Sequence, residues 1–307
     1  MAVIRVQKEI GGQDLILETG KIANQAHGAV WVQYGETVVL VTVLSAPSDR
    51  QLDFFPLFVD YRENQYAAGK FPGGFFKREG RPTTKEILTM RMIDRPIRPL
   101  FPYDFRNEVQ IQCMVLSFDG QNDPDILALI GASAALELSP APFDGPIGVA
   151  RVSQIDGKLV VNPTIEQMAD AKMNLIAAGP DNINMIECDG LEVTEAVVAD
   201  ATELARTAMA DVISLIKELA SSTTVEKTFE SKGIPQALKD LIIDRFGDRM
   251  REAKQIPGKA DRSAAFKAIR QELLDELCPA DVEEPEYNVG QVKEAFYKSE
   301  GLIQRQL

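Results

Sequence analysis

Residues 69–82 read Gly-Lys-Phe-Pro-Gly-Gly-Phe-Phe-Lys-Arg-Glu-Gly-Arg-Pro and run directly into TTKEILTMRMIDRPIRPLFP. The residue types gathered there suit one kind of chemistry. Cations neutralise phosphates, and aromatic faces stack bases, so the combination fits a polyanion that carries bases. From Lys70 to Arg106 there are nine Lys or Arg against four acids, a net +5. The whole chain of 307 residues is net −13, so the remainder sums to −18. A positive island on an acidic body marks a landing place for an anion.

Within the loop, Gly73 and Gly74 free the backbone to bulge. Phe75 and Phe76 are placed to stack bases, and Lys77, Arg78 and Arg81 to neutralise phosphates. Stacking one base on an aromatic is worth about 1–3 kcal/mol and tolerates any sequence. The competing reading makes the two phenylalanines core anchors of a hairpin. Adjacent residues of an extended segment point to opposite faces, so at least one would then be core. Arg91 and Arg95 are spaced by four and fall on one helical face, with Arg98 beyond a proline. Like charges at that spacing repel, and an anion between them would offset the repulsion. The competing reading pairs these arginines with Asp94, Glu86 or Asp104.

Other chemistries find no residues to carry them. Gly11-Gly12 and Gly73-Gly74 lack the spacing of a P-loop or a dinucleotide fingerprint. His27, the one histidine, sits in Asn-Gln-Ala-His-Gly and reads as a turn residue. Cys113, Cys188 and Cys278 are widely spaced, which fits free thiols in a reducing compartment and supplies no metal ligand set. Asp123 and Asp125 could form half of a metal site, but helix capping accounts for them. Ser221-Ser-Thr-Thr224 has a phosphate-loop composition, yet it follows a helix and reads as a linker. No nucleophile–base pair and no carboxylate dyad stand out.

These residues need elements to hold them. Leu15–Glu18, Ala29–Gln33, Thr37–Leu44 and Phe54–Asp60 are strand-like, with Tyr34-Gly-Glu36 a tight turn. Thr83 and Glu86 have capping-box spacing and open a helix that Pro96 is expected to end near Asp94 or Arg95. A strand over Val109–Ser117 leads to Asp123-Pro124, an N-cap followed by a proline at the first helical position. The small residues Gly131-Ala-Ser-Ala-Ala135 would let that helix lie close on a sheet. Gly148–Val152 with Lys158–Val161, and Met173–Ala178 with Asn184–Cys188, read as two hairpin-like pairs. A helical stripe runs over residues 194–220, and three more helical faces follow residue 235. The N-terminus has no secretory apolar region, and no apolar run approaches the ~18–20 residues that cross a bilayer. A cytoplasmic location without membrane contact is expected.

PGGFFKREGRP followed by EILTMRMIDRPIRPLFP, then NDPDILALIGASAALELSPAPFDGPIGVARV, resembles the bacterial polynucleotide phosphorylase family. The likeness runs from ETGKIANQAHGAVWVQYGETVVLVTV through the helical region, over essentially the whole chain. It implies an α+β, RNase PH-like (ribosomal protein S5 domain 2-like) core over residues 1–225, then an all-helical linker domain over residues 235–307. It also implies a phosphate-dependent 3′→5′ exoribonuclease acting on single-stranded RNA in mRNA degradation. Phosphate attacks the terminal phosphodiester, nucleoside diphosphates leave, and the reaction reverses as polymerisation. Members of the family are homotrimers whose subunits carry two such cores. Inorganic phosphate is a substrate, Mg²⁺ is the cofactor, and proteins of RNA-degradation complexes are partners.

In that family the phosphate loop, the acidic Mg²⁺ ligands and the general acid lie chiefly in the second core. Catalytic residues are therefore expected beyond residue 307, and this chain, which reads as cut in mid-course, would bind and thread RNA and be inactive alone. The family's two-Phe, two-basic loop carries over to Phe75, Phe76, Lys77 and Arg78, and by proximity to Arg81. Arg91, Arg95 and Arg98 are implied as phosphate or backbone contacts. Where the family often has Arg, this chain has Lys77, a point charge that makes no bidentate phosphate contact. The alternative is a non-catalytic RNase PH-like ring subunit that binds RNA without cutting it.

Overall fold

The computed structural model describes residues 3–47, 54–229, 234–279 and 286–307. It divides into two compact units, Met1–Ser231 and Lys232–Leu307. The first unit begins with an antiparallel meander of β1 (Ile4–Ile10), β2 (Gln13–Thr19), β3 (Gly28–Tyr34) and β4 (Thr37–Ala46). β5 (Leu57–Arg62) and β6 (Glu108–Ser117) complete a six-stranded sheet in the order β1-β2-β3-β4-β6-β5, with β5 parallel to β6. β3 buries every second residue, the alternation of a sheet with one face on a core.

The first strand was absent from the expectation, for a physical reason. Lys8 falls on the inward row between Val6 and Ile10 and breaks the apolar alternation. Its ammonium is met by Asp211 at 2.7 Å. Asp211 lies on α4 (Glu195–Ser221), which packs against β1.

A second sheet holds β7 (Gly148–Ile155), β8 (Lys158–Val161), β9 (Met173–Gly179) and β10 (Met185–Gly190), ordered β10-β9-β7-β8 and antiparallel throughout. The two expected hairpins are both present, and pairing of β7 with β9 fuses them into one sheet. Between the sheets lies α2 (Pro124–Glu137), which packs on β3 and β4 of the first and β7 of the second. Every residue from Pro124 to Leu136 is buried, so this helix has no polar face. Its close approach depends on Gly131: a Cβ there would sit 2.5 Å from Val41 Cγ2 and 2.8 Å from Val32 Cγ2.

The helix opened by Thr83, α1 (Thr84–Ile97), runs past the expected stop, with Pro96 inside its last turn. Proline there removes one donor, to the Met92 carbonyl, but other contacts hold the turn. Ile93 and Ile97 are fully buried, Asn184 Nδ2 donates to the Pro96 carbonyl at 3.0 Å, and the Arg98 amide reaches Asp94 O.

Residues after 225 still belong to the first unit. Lys227 Nζ donates to the carbonyls of Leu136, Glu137 and Ser139 at the end of α2, and Phe229 packs edge-on against Phe105. The second unit is helical: α5 (Gln236–Lys254), α6 (Lys259–Leu277) and α7 (Val289–Gln306) enclose a separate core that includes Leu238, Ile242, Phe246, Leu273, Val292 and Phe296. No described helix is long and apolar enough to cross a membrane.

Gly131→Ala should destabilise the first unit by about 1–2 kcal/mol, overpacking outweighing the helix-propensity gain. The urea midpoint would fall with an unchanged m-value. A midpoint that rises would mean Val32 and Val41 move aside freely.

Candidate nucleic-acid interface

The basic loop leaves β5 through Glu63 and Asn64 and turns in a 3₁₀ segment, Gln65–Ala68, that ends on Gly69 in the left-handed region at φ 66°. The chain reverses again at Gly74, φ 75°. Lys77 also adopts a positive φ, 49°, where glycine is usual. The loop returns at Thr83, where the expected capping box is complete: Glu86 N donates to Thr83 Oγ1 at 3.2 Å, and Thr83 N to Glu86 Oε2 at 2.6 Å.

The loop carries its aromatics outward. Phe75 is 93% exposed and Phe76 82%, with ring centroids 5.5 Å apart and nearly perpendicular. Neither is core, so the hairpin-anchor reading fails. Phe71, 92% exposed, is a third aromatic on the same loop that the sequence reading passed over. Its signal was present: a lone aromatic among glycines and a proline has no apolar neighbour to join in a core. Among the described residues, no carboxylate pairs with Lys70, Lys77, Arg78 or Arg81. Each of these side chains is exposed.

The three helix arginines separate. Arg91 is exposed and without an ion pair among the described residues, seven residues along α1 from its start, or roughly 10 Å at the helical rise. Arg95 donates to Glu187 Oε1 at 3.0 Å and to the Ile186 carbonyl at 2.8 Å, tying α1 to β10. Arg98 grips both oxygens of Asp94, at 2.9 and 2.6 Å, and the carbonyls of Phe55 and Leu57. Its guanidinium therefore holds the start of β5. The Asp94 pairing matches the competing sequence reading.

Beside the loop base lies an ionic cluster that the sequence did not disclose, buried at Arg151 and Asp125 and open to solvent at Lys85. Arg151 on β7 reaches Asp125 Oδ2 at 2.6 Å and Asp123 Oδ2 at 3.3 Å. Lys85 Nζ bridges Asp123 Oδ1 at 3.0 Å and Glu63 Oε1 at 2.8 Å, and Glu63 also accepts from the Tyr61 hydroxyl at 2.7 Å. Burial pushes the Asp125 carboxyl up, and the Arg151 guanidinium opposes it. Asp123 still caps α2, accepting from Asp125 N at 3.4 Å. Capping thus explains Asp123 but only part of Asp125.

This cluster decides two questions of chemistry. The N-terminus of α2 is filled by its own carboxylates and offers no seat to an anion. The carboxylates Glu63, Asp123 and Asp125 are already satisfied by Lys85 and Arg151, so they do not fit a Mg²⁺ ion. No group of three metal-ligating side chains occurs elsewhere among the described residues. Burial pushes the thiols of Cys113, Cys188 and Cys278 up, away from the thiolate form.

A second carboxylate, Asp119, pins the connection from β6 to α2. Burial raises its pKa, but the amides of Asn122 and Gln121, the Asn122 side chain and Thr37 outweigh that and hold it at about 2.

Residues 11–142 match the 3′ exoribonuclease family, domain 1, and residues 145–208 match domain 2 of the same family. The chain belongs to the 3′ exoribonuclease family. Among curated relatives, a polyribonucleotide nucleotidyltransferase of Rhodopirellula baltica is 43% identical over 99% of this chain and 40% of its own length. One of Nitrobacter winogradskyi is 45% identical over 98% of this chain and 42% of its own. The chain thus spans about two fifths of the curated relatives it matches. Rice Rrp46 shares the fold with a TM-score of 0.54 at 13% identity, covering 71% of this chain and 94% of that one. A chain of the Archaeoglobus fulgidus exosome with RNA bound to the active site aligns with a TM-score of 0.51 at 17% identity, over 69% and 86%. The expected RNase PH-like core is the fold observed.

Asp125→Asn should cost about 3–5 kcal/mol of unfolding free energy, because it strands a buried guanidinium. A loss under one kcal/mol would mean that Asp123 alone satisfies Arg151. Asp119→Asn should cost about 1 kcal/mol at neutral pH once solvent screening is allowed for. A lowered carboxyl stabilises above its unfolded value, and that contribution is lost as pH falls through the folded value. The two proteins should therefore converge in chemical denaturation near pH 2.

Proposed function

We propose that this chain is the RNA-binding and RNA-threading part of a polyribonucleotide nucleotidyltransferase. That enzyme is a processive, phosphate-dependent 3′→5′ exoribonuclease that releases nucleoside diphosphates and also runs in reverse. The observation that carries the reading is the loop: Phe75 and Phe76 stand in solvent beside Lys77, Arg78 and Arg81, whose charges have no partner among the described residues. Identity of 43–45% with polyribonucleotide nucleotidyltransferases over 98–99% of the chain supports it.

The loop would act on single-stranded RNA in two ways. Lys77, Arg78 and Arg81 neutralise successive phosphates and release condensed counterions, which makes binding salt-dependent and indifferent to sequence. The phenylalanine faces stack unpaired bases, which a duplex would hide. Arg91 continues the positive track along α1. Arg95 and Arg98, already engaged, serve it less directly by holding β10 and β5 in place.

Phosphorolysis needs an electrostatic site for the attacking phosphate and the developing charge. The carboxylates beside the loop are unsuited to Mg²⁺, which supports a reading in which the phosphate and metal sites belong to the part of such relatives that this chain does not span. The assembled enzyme would be a cytoplasmic homotrimer that meets other RNA-degradation proteins.

Incubating the chain with oligo(A), inorganic phosphate and Mg²⁺ should release no ADP while the RNA is bound. Phosphate-dependent ADP release would place the active site within these residues. Replacing Phe75 and Phe76 with Ala should weaken oligo(A) binding by about 1–3 kcal/mol per stacked base. Arg78→Ala should flatten the log–log salt dependence by about one unit. An unaltered affinity or slope would remove that residue from the RNA path.

A further inference from the structure

The basic loop closes on one buried carboxylate. Glu86 is 6% exposed, and its two oxygens accept backbone N–H groups from opposite ends of the loop. Oε1 takes the amide of Glu63, where the chain leaves β5, at 3.0 Å. Oε2 takes the amide of Thr83, where the chain enters α1, at 2.6 Å. In an ordinary capping box the acidic side chain serves only its own helix start. Here the same group also captures the strand end before the loop.

Two neighbours reinforce the closure. Lys85, one residue earlier on α1, bridges Glu63 to Asp123. Glu79, inside the basic run, turns back and accepts from the Gln65 amide at 2.8 Å. Among the described residues, that is the one side-chain hydrogen bond made between Gly69 and Pro82. The loop is thus fastened at its base and unconstrained at its tip.

We propose that Glu86 is a positioning residue of the RNA-binding loop, joining both ends so that the segment carrying Phe75, Phe76, Lys77 and Arg78 projects from one fixed base. The inference rests on the reading of this loop as the RNA contact. Closing a loop has an entropic cost, and holding its ends together beforehand spares the binding step that cost. The ionised form is the one that works. A carboxylate accepts both amides, whereas glutamine has one acceptor oxygen and would turn an N–H toward the second donor. Burial pushes the Glu86 carboxyl up, but the hydrogen bonds from Thr83 and Glu63 and the nearby Arg62 more than offset this and leave it below its ordinary value.

Glu86→Gln tests the proposal, with the exposed Glu79→Gln as a second variant that leaves the core untouched. Both are made in the whole chain and read by hydrogen exchange, thermal unfolding and fluorescence anisotropy with labelled oligo(A). Glu86→Gln should speed exchange of the hydrogen-bonded amides at the loop base, those of Glu63, Gln65, Lys70 and Thr83, about tenfold, the loss of one charge-assisted hydrogen bond. The rest of the first unit should exchange at its former rate, and oligo(A) should bind about three- to tenfold more weakly. Glu79→Gln keeps an acceptor for the Gln65 amide and removes only a charge, so its local exchange should stay near the parent rate and its oligo(A) affinity should not weaken. Exchange raised evenly across the first unit would make Glu86 a general stability residue and overturn the proposal. Faster local exchange with unchanged oligo(A) affinity would overturn it too. If the parent chain itself does not bind oligo(A), the RNA reading fails, and with it what the loop is positioned for. Local exchange would still report on the clamp.

Discussion

A helix buried on every side must end somewhere without water, and the first unit is arranged around that constraint. α2 lies between two sheets, and its first turn carries Asp125, which is buried away from solvent. The carboxylates there meet the helix's own N-terminal charge, and Arg151 from the second sheet neutralises them. Breaking such a buried pair is far more damaging than its net contribution would suggest, because one partner is left charged and unpaired. The pair therefore acts as a register pin. β7 cannot slide along β9 by one residue without turning Arg151 away from Asp125.

The same cluster reaches the basic loop. Lys85 shares Asp123 with Arg151 and passes the connection to Glu63, so the loop base is keyed to the central helix and through it to both sheets. The consequence for charge is asymmetric. Around the cluster nearly every carboxylate is consumed by a structural cation, whereas on the loop only Glu79 is acidic and it is turned back onto the Gln65 amide. The positive island of the sequence is thus left unbalanced in space as well as in composition.

Much of this was legible beforehand, and the misses share a cause. Thr83 with Glu86, Asp123 with Pro124, and Gly131 announce themselves because capping and close approach are written within three or four residues. The partners of Arg95 and Arg151 lie far along the chain, at Glu187 and Asp125, and local spacing carries no trace of them. Lys8 hid a strand because its counter-charge sits on α4, and Pro96 failed to end a helix because Ile93 and Ile97 are anchored in the core. At the candidate site the kinds of residue were readable, but their division of labour was not: Arg91, Arg95 and Arg98 look alike in sequence, and the fold ties down two of them.

The exposed aromatics are the hardest feature to explain by folding alone. Burying a phenylalanine is worth about 1.5–3 kcal/mol, and Phe71, Phe75 and Phe76 forgo nearly all of it, although the same unit packs Phe55, Phe101 and Phe105 into an aromatic cluster. The backbone does not fold them inward, although Gly73 and Gly74 would let it. Lys77 even accepts a left-handed conformation beside the pair. Fixed charges at the loop base, a strained residue next to the tip and apolar rings in water together fit the proposed role of the loop as a contact for a partner outside the chain. A stacked base with a phosphate at its edge would complete both halves of that surface at once.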